Sequence, residues 1–512
     1  MAMRQRLLAI LMTMGVTAAC AAPMPALRAP SADLQATAAR SRTVMNWTDE
    51  VMYFIVTDRF FNGDRSNDKN VEPGNEWGYH GGDIAGVTQK LDYLKSMGIT
   101  TLWLTPWTDN DDKPLSIDGG KKLWGFHGYW PKDLQAVDEH LGRMETVRSF
   151  VNEAHRRGMK VMMDYVINHT GYEHEWGKNR KDPKDPHHDW FNQFGDIRNY
   201  DDDYQVVHGD LAGLPDWNQD NPAVARHLID NANWWVQQTG VDGLRVDAVK
   251  HVDHKFVRQF AREVKGKNPN TMLLGEVLHG DPNVCASYLR DGFDSMFDFP
   301  LYYSITDVFA RGQSARRLGN LLGQDGAYPD GTFMTPFIDN HDVPRFMSVA
   351  GANGKERLKG ALTFTLTVRG MPCIYYGTEA ALKGGGDPAN RADMPWNNLD
   401  ADLTAHIKRL IGIRKQYEPL RKGAQLEMWQ DEDVYAYSRK SGKDEVIVAM
   451  NVGDRPANRQ IPLRAESQLP SGVQLTDLLS GKTLAVEGRQ LNISLPPRSQ
   501  MVLAVNASRN KR

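Results

Sequence analysis

At 512 residues the chain is too long for one compact core and implies two or three domains. Its 41% hydrophobic and 24% charged residues describe an ordinary soluble globular protein, and a net charge of -3 gives no reason to expect nucleic acid or an acidic membrane as partner. Thirteen tryptophans and seventeen tyrosines supply flat amphipathic rings, most of them for core packing and some for stacking on ligands.

The amino terminus is basic as far as Arg6, apolar over 7–16 and small-sided over 17–22. This is the build of an export signal, too short to span a bilayer, so the protein is expected to be exported, either periplasmic or secreted. Cleavage after Ala21 makes 1–21 a signal peptide and the product soluble. Ala18-Ala19-Cys20 also resembles a bacterial lipobox, which would end the signal at 19 and leave a lipid anchor on Cys20, although Thr17 stands where an aliphatic residue is usual. A flexible spacer rich in Ala, Ser, Arg and Pro follows over 22–44. Beyond it only Cys285 and Cys373 remain, too few for a disulfide framework and expected as free thiols.

From Val51 onward one unit recurs, a helix with apolar residues at three- and four-residue spacing, a glycine, and a short apolar run. Val87, Leu91, Leu94 and Met97 give a helical face that Gly98 ends, and 99–104 follows as a strand. The pattern returns around Val147, Phe150, Val151 and Ala154 before Gly158, and around Leu228, Ala232, Trp235 and Val236 before Gly240. Strands are expected over 51–57, 101–105, 161–166, 244–249, 272–277, 295–300, 332–338 and 372–376. Alternation of helices with buried strands predicts an α/β chain, and eight parallel strands close a (β/α)8 TIM barrel, here over 45–169 and 222–418. Such barrels place chemistry at the carboxyl ends of the strands, where Asp164, His169, Asp247, Glu276, His341, Asp342 and Glu379 all lie. Residues 170–221, rich in Asp, His, Trp, Pro and Gly, are expected as a small lobe inserted after strand 3 and overhanging the barrel mouth. Residues 419–512 lose the helical pattern and predict a C-terminal antiparallel β-sandwich.

Within this frame the run from Gly240 to His251 is the most charged strand end. Arg245 and Asp247, two residues apart on an extended strand, share a face, so the arginine favours the ionised carboxylate, as a poised nucleophile needs and as a buried salt bridge fixing the strand end would also give.

Five segments together resemble the α-amylase superfamily of retaining glycosidases, glycoside hydrolase family 13, and they occur in that family's order. They are Asp164 to His169, Leu214 to Asn218, Gly243 to His251, Gly275 to Val277, and Phe337 to Asp342; Trp217 departs from the family's usual Leu or Ile. The resemblance implies cleavage of internal α-1,4-glucosidic bonds of starch and maltodextrins, with Asp247 as nucleophile and Glu276 as general acid/base. Retention requires these two carboxyl groups about 5 to 5.5 Å apart. Leu273-Leu274-Gly275 before Glu276 would help to keep it protonated. Asp342 would be a third catalytic carboxylate, favouring the distorted sugar. By the same resemblance Asp164, His169, Arg245 and His341 would bind the glucose unit at the nucleophile, Tyr129 would stack on it with His127 beside it, Asp387 and Arg391 would border it, and Lys250 and His251 would face the leaving side.

Two calcium sites are implied as well, both built from hard oxygen ligands. One would join lobe to barrel through Asn168, Asp216 and the carbonyl of His251. The other would use Asn62, Asp64, Asn67, Asp68, Gly81 and Asp83, a loop resembling one of cyclodextrin glucanotransferases and cyclodextrinases, though spaced Asn and Asp also serve plain turns.

Lys250-His251 is the α-amylase and glucanotransferase form of its segment. Cyclodextrinases would need an amino-terminal domain before 51, and glucanotransferases further domains after the sandwich, so α-amylase is the expectation, with glucan as the partner and a monomer as the state. The rival is a cyclodextrin or maltodextrin hydrolase with transglycosylation. A non-catalytic glycan-binding barrel is the alternative of a different class, and it would have lost a carboxylate.

Overall fold

The computed structural model describes residues 47–117 and 120–505; the expected signal, spacer and Cys20 lie outside them. All eight expected barrel strands are present, most of them shorter than the sequence reading. They are β1 (Met52–Ile55), β2 (Thr101–Leu104), β3 (Lys160–Val166), β4 (Gly243–Asp247), β5 (Met272–Gly275), β6 (Ser295–Phe297), β7 (Phe333–Thr335) and β8 (Cys373–Tyr375). Together they make one parallel sheet in the order β7-β6-β5-β4-β3-β2-β1-β8. Its edges meet through backbone hydrogen bonds from Met371 to Met334 (3.0 Å) and from Cys373 to Pro336 (2.9 Å), which round the sheet into a nearly closed barrel.

Strands packed by helices outside and by each other inside have no polar face, which is why these runs are apolar rather than alternating. Helix Met144–Arg156 turns Val147, Phe150, Val151 and Ala154 inward, and Pro222–Thr239 buries Leu228, Ala232, Trp235 and Val236. Gly98, Gly158 and Gly240 stand at or just past helix ends with φ of +94°, +72° and +73°, the left-handed turn expected of them. The first helix differs from the reading: it is broken at Lys90 into Ile84–Gln89 and Leu91–Met97, because the Lys90 N–H closes back on the Val87 and Thr88 carbonyls. Val87, Leu91, Leu94 and Met97 nonetheless all face the core.

Between β3 and helix Pro222–Thr239 the chain forms mostly turns around an aromatic kernel. Trp217, at the position where it departs from the family's usual residue, is fully buried and stacks on Phe191 at 4.6 Å and 17°. A bridge between His169 and Asp216 ties this segment to the end of β3.

The C-terminal part comprises β9 (Ala424–Gln430), β10 (Val434–Ser441), β11 (Asp444–Asn451), β12 (Ala457–Pro462), β13 (Gln474–Asp477), β14 (Thr483–Ala485), β15 (Gln490–Leu495) and β16 (Gln500–Val505). Six of them form an antiparallel sheet, β9-β10-β11-β16-β13-β14, and β12 pairs with β15. Strict alternation explains the docking: Tyr435, Tyr437, Val446 and Val448 join the barrel's core, whereas Val434, Ala436, Ile447 and Ala449 join a second core shared with Ile461, Leu491 and Ile493. Cys285 and Cys373 are free and buried. Among the described residues no helix is long and apolar enough to cross a membrane.

Candidate active site

β4 carries the centre of the site. Arg245, 1% exposed, reaches Asp247 Oδ1 at 2.6 Å and Asp164 Oδ1 at 2.9 Å through one terminal nitrogen, and Glu276 Oε1 at 2.8 Å through the other. The arginine expected to pair with one carboxylate is therefore shared by three. Below it the Trp103 ring lies 5.0 Å from the guanidinium carbon. Asp164, with no exposed surface, also accepts hydrogen bonds from Trp103 Nε1 (2.9 Å) and the Tyr129 hydroxyl (2.8 Å). Asp164 and Arg245 thus lie beneath the floor of the cleft and hold other residues, where the sequence reading had them touching substrate.

Too many acids share this cation for all of them to ionise freely. Burial raises the pKa values of Asp247 and Glu276, and Asp164 is pushed up to about 7. Against that, Arg245 favours the anion at both, while neighbouring carboxylates add to burial at each, Asp342 at Asp247, and Asp247 with Asp164 at Glu276. Burial thus holds both carboxyls toward the protonated form, and the shared arginine holds both back from it. Burial is the largest cause at Glu276, as the apolar residues before it in sequence implied, while Arg245 and the Ala248 N–H (3.0 Å) pull its pKa the other way. Ala248 itself sits at φ +50°, a left-handed conformation that a non-glycine residue adopts only when its surroundings impose it, here directly after Asp247 and holding Glu276.

Above this floor the Tyr129 ring lies nearly parallel to those of His127 (5.8 Å, 21°) and His341 (5.1 Å, 20°). Burial, with Arg391 nearby, pushes both histidines well below their usual pKa, so both are neutral. Asp342 lies 3.4 Å from His341 Nδ1 and 3.7 Å from Arg391, with 28% of its side chain open to the cleft. Desolvation by the cleft walls and the neighbouring Glu276 raise its pKa to about 7, a shift that the open side moderates. Arg391 also contacts Asp387 at 3.1 Å and donates to the His341 carbonyl at 3.0 Å, locking the loop after β8 onto the loop after β7. Lys250 and His251 line the opposite side. His169 lines the cleft too, but its Nε2 faces the Tyr129 carbonyl at 3.0 Å, so it braces the wall.

These groups surround one cleft of about 550 Å³. Its rim adds residues that the sequence reading missed, Trp77, Leu115, Leu123, Tyr172, Tyr200 and Leu278. Leu278 continues the recognised segment from Gly275; the only signal for the others was an apolar or aromatic side chain in an otherwise polar loop.

The structure brings one implied calcium set together. The Asn168 amide oxygen lies 2.8 Å from the His251 carbonyl and 3.2 Å from Asp216 Oδ1, facing acceptors only; turning the amide over would let its nitrogen donate to both. Asp216 is 1% exposed and its pKa is raised by burial, with an amide from Asn192 at 2.7 Å and Asp210 nearby. Three oxygens converging around a desolvated carboxylate fit a hard cation. In the second set, Asn62 donates to Asp68 Oδ1 (2.8 Å), and a Cβ on Gly81 would meet both. The Oδ1 atoms of Asn62 and Asn67 are buried without donors, which fits a cation there. Asp83 and Asp64 instead cap local turns, Asp83 accepting from Gly63, Asp64 and Gly86, and Asp64 from Ser66.

Known proteins match this arrangement along most of the chain. Residues 54–441 match the family model described as alpha amylase, catalytic domain, and 426–509 the neopullulanase-like C-terminal domain. A beta/alpha-amylase of Paenibacillus polymyxa is 39% identical over 471 residues, covering 89% of this chain, which spans 38% of that relative's length. Other relatives carry the names cyclomaltodextrinase, neopullulanase and maltogenic alpha-amylase. An Anoxybacillus alpha-amylase superposes with a TM-score of 0.82 at 37% identity, covering 90% of this chain and 99% of its own. CldA, described as a cyclomaltodextrin glucanotransferase with a three-domain ABC distribution, gives 0.81 at 32%, with 90% and 99% covered. With its three carboxylates placed on strand ends in the order that the sequence resemblance required, the chain belongs to the α-amylase catalytic-domain family of glycoside hydrolase family 13.

Proposed function

We propose that the protein is a retaining hydrolase of internal α-1,4-glucosidic bonds in starch and maltodextrins. The observation that carries this reading is that Asp247 and Glu276 occupy the two terminal nitrogens of a single buried guanidinium. Two carboxyl oxygens at 2.6 and 2.8 Å from one planar group are kept close together, which supports the short spacing of double displacement over the gap that a directly attacking water needs.

In the first step Asp247 attacks the anomeric carbon as Glu276 gives its proton to the departing glycosidic oxygen, leaving a glycosyl ester on Asp247. Water then attacks that carbon from the vacated face, Glu276 takes its proton, and Asp247 leaves as the carboxylate. Asp342, with His341 and Arg391 behind it, faces the sugar hydroxyls and stabilises the distorted ring. Tyr129 offers its ring to the sugar face and is fixed by its hydroxyl on Asp164.

Starch, maltoheptaose and β-cyclodextrin compared at equal glucose concentration test the substrate. Rapid hydrolysis of starch to linear maltodextrins is expected. Ring opening much faster than attack on starch, with transfer products, would favour the cyclodextrin-hydrolase rival, which the names of several relatives support. Contrary to the expectation from sequence, domain number does not exclude a glucanotransferase, since one with a three-domain ABC distribution aligns over nearly its whole length.

Calcium at Asn168, Asp216 and the His251 carbonyl belongs to the same proposal; it would pin the lobe to the barrel and hold Asp216 ionised. Chelation is expected to lower the melting temperature, and added calcium to restore it, because a ligand bound only by the folded state stabilises it. A melting temperature indifferent to chelator would remove calcium from the proposal. Export, as a soluble monomer or anchored through Cys20, completes it on the strength of the amino-terminal sequence.

A further inference from the structure

The sheet order sets the loops after β8, β1 and β2 side by side, facing those after β4 and β5. Contacts fuse the first group into one wall. Buried Arg59 donates to the Glu76 and Gly78 carbonyls at 3.0 and 2.9 Å and lies 3.8 Å above the Phe126 ring. The Trp124 N–H donates to the Trp77 carbonyl (3.0 Å), Asn75 to the Lys122 carbonyl (2.9 Å), and His80 meets Asp393 at 2.6 Å.

On this wall Leu115 pairs directly with Leu123 across a two-stranded ribbon, so both side chains share a face. Both line the cleft with Trp77, and all three are half-buried. Among the described residues no other ring and no cation packs against the Trp77 indole. A tryptophan fixed by its backbone at the edge of the cleft, with its ring uncommitted, is a sugar-stacking surface.

Its side of the cleft follows from the chemistry, and here the argument rests on the hydrolase reading above. Glu276 protonates the departing oxygen, so the leaving part of the glucan runs toward Glu276, Lys250 and Leu278. The part retained on Asp247 runs the other way, past His127 and Arg391 to the wall. We infer that Trp77, framed by Leu115 and Leu123, is the platform for the second glucose unit on the retained side and thereby sets where the chain is cut.

Maltoheptaose labelled at its reducing end tests this through the initial distribution of cut bonds, measured for the wild type, Trp77→Phe and Trp77→Ala. Trp77→Ala is expected to lower kcat/KM about tenfold for bonds that place two or more glucose units on the retained side. The bond that places a single unit there never used the platform, so its share of products rises. Trp77→Phe recovers most of the wild-type pattern. An unchanged distribution, or a loss equal over all bonds, overturns the inference. If Trp77→Ala does not fold, Trp77→Leu, which keeps apolar volume without the flat ring, carries the same comparison. A wild-type enzyme that leaves maltoheptaose uncut overturns the hydrolase reading itself, an outcome distinct from an active enzyme indifferent to Trp77.

Discussion

Asp247→Asn is expected to lower kcat on maltoheptaose by about 10⁴-fold or more, because an amide does not form the glycosyl ester and no second carboxylate is placed to replace it. Glu276→Gln is expected to lose about 10² to 10⁴-fold, the usual contribution of a positioned acid. An aryl α-maltoside, whose leaving group needs no proton, separates the two: its first step recovers in Glu276→Gln and stays lost in Asp247→Asn. Proton NMR of fresh wild-type products should show the α anomer, since two displacements restore the starting configuration. Stability should move in the opposite sense to activity. Burial raises the folded pKa of Asp247, so this group's contribution is most favourable below the unfolded value of about 4 and is lost as pH rises through the folded one. Asp247→Asn should therefore melt no lower than wild type at pH 7. Activity in Asp247→Asn, or β-anomeric products, would sink the assignment.

The eight strands were legible because a parallel sheet buried on both sides leaves unbroken apolar runs, and because glycine at helix ends punctuates them. The three carboxylates were legible because barrel topology brings every strand's carboxyl end to one face, so position along a strand already gives position in the site. What was not legible is which groups meet across that face. The sharing of Arg245 by Asp164, Asp247 and Glu276 joins β3, β4 and the end of β5, and no spacing within one strand encodes it. His169 shows the same limit, since its neighbour in sequence is a calcium ligand candidate while its partner in space is the Tyr129 carbonyl. Trp77, Leu115 and Leu123 come from loops with neither periodicity nor shared segments, and only the folded wall gives them a common purpose. Lys90 escaped because its carbonyl-sharing turn breaks a helix without disturbing the apolar face on which the sequence reading rested.

Arg245→Met should be the most damaging single change in the barrel, because it removes the one cation touching three buried carboxyl groups while leaving them in place. Breaking a buried ion cluster from one side costs about 3–5 kcal/mol, as the charges that remain have neither water nor partner. The pH dependence identifies the cause. Without the guanidinium the folded pKa values of Asp164, Asp247 and Glu276, already raised by burial, rise further above those of the unfolded chain. Protons then bind the folded state more tightly, so the loss of stability should be smallest near pH 4–5 and grow as pH rises through the raised values, about 7 for Asp164 even in the wild type. Denaturant melts of the variant and wild type at pH 5 and pH 8 measure this difference. Adding Asp164→Asn to Arg245→Met should recover part of the stability at pH 8 and little at pH 5, because it removes one of the stranded charges. Arg245→Lys should keep more stability than Arg245→Met and still lose turnover, since a single ammonium neutralises charge without the fork that holds Asp247 and Glu276 on separate nitrogens. A destabilisation equal at both pH values would mean that Arg245 supports the barrel by packing on Trp103 alone, and the short spacing of the two catalytic carboxyl groups would then need another cause.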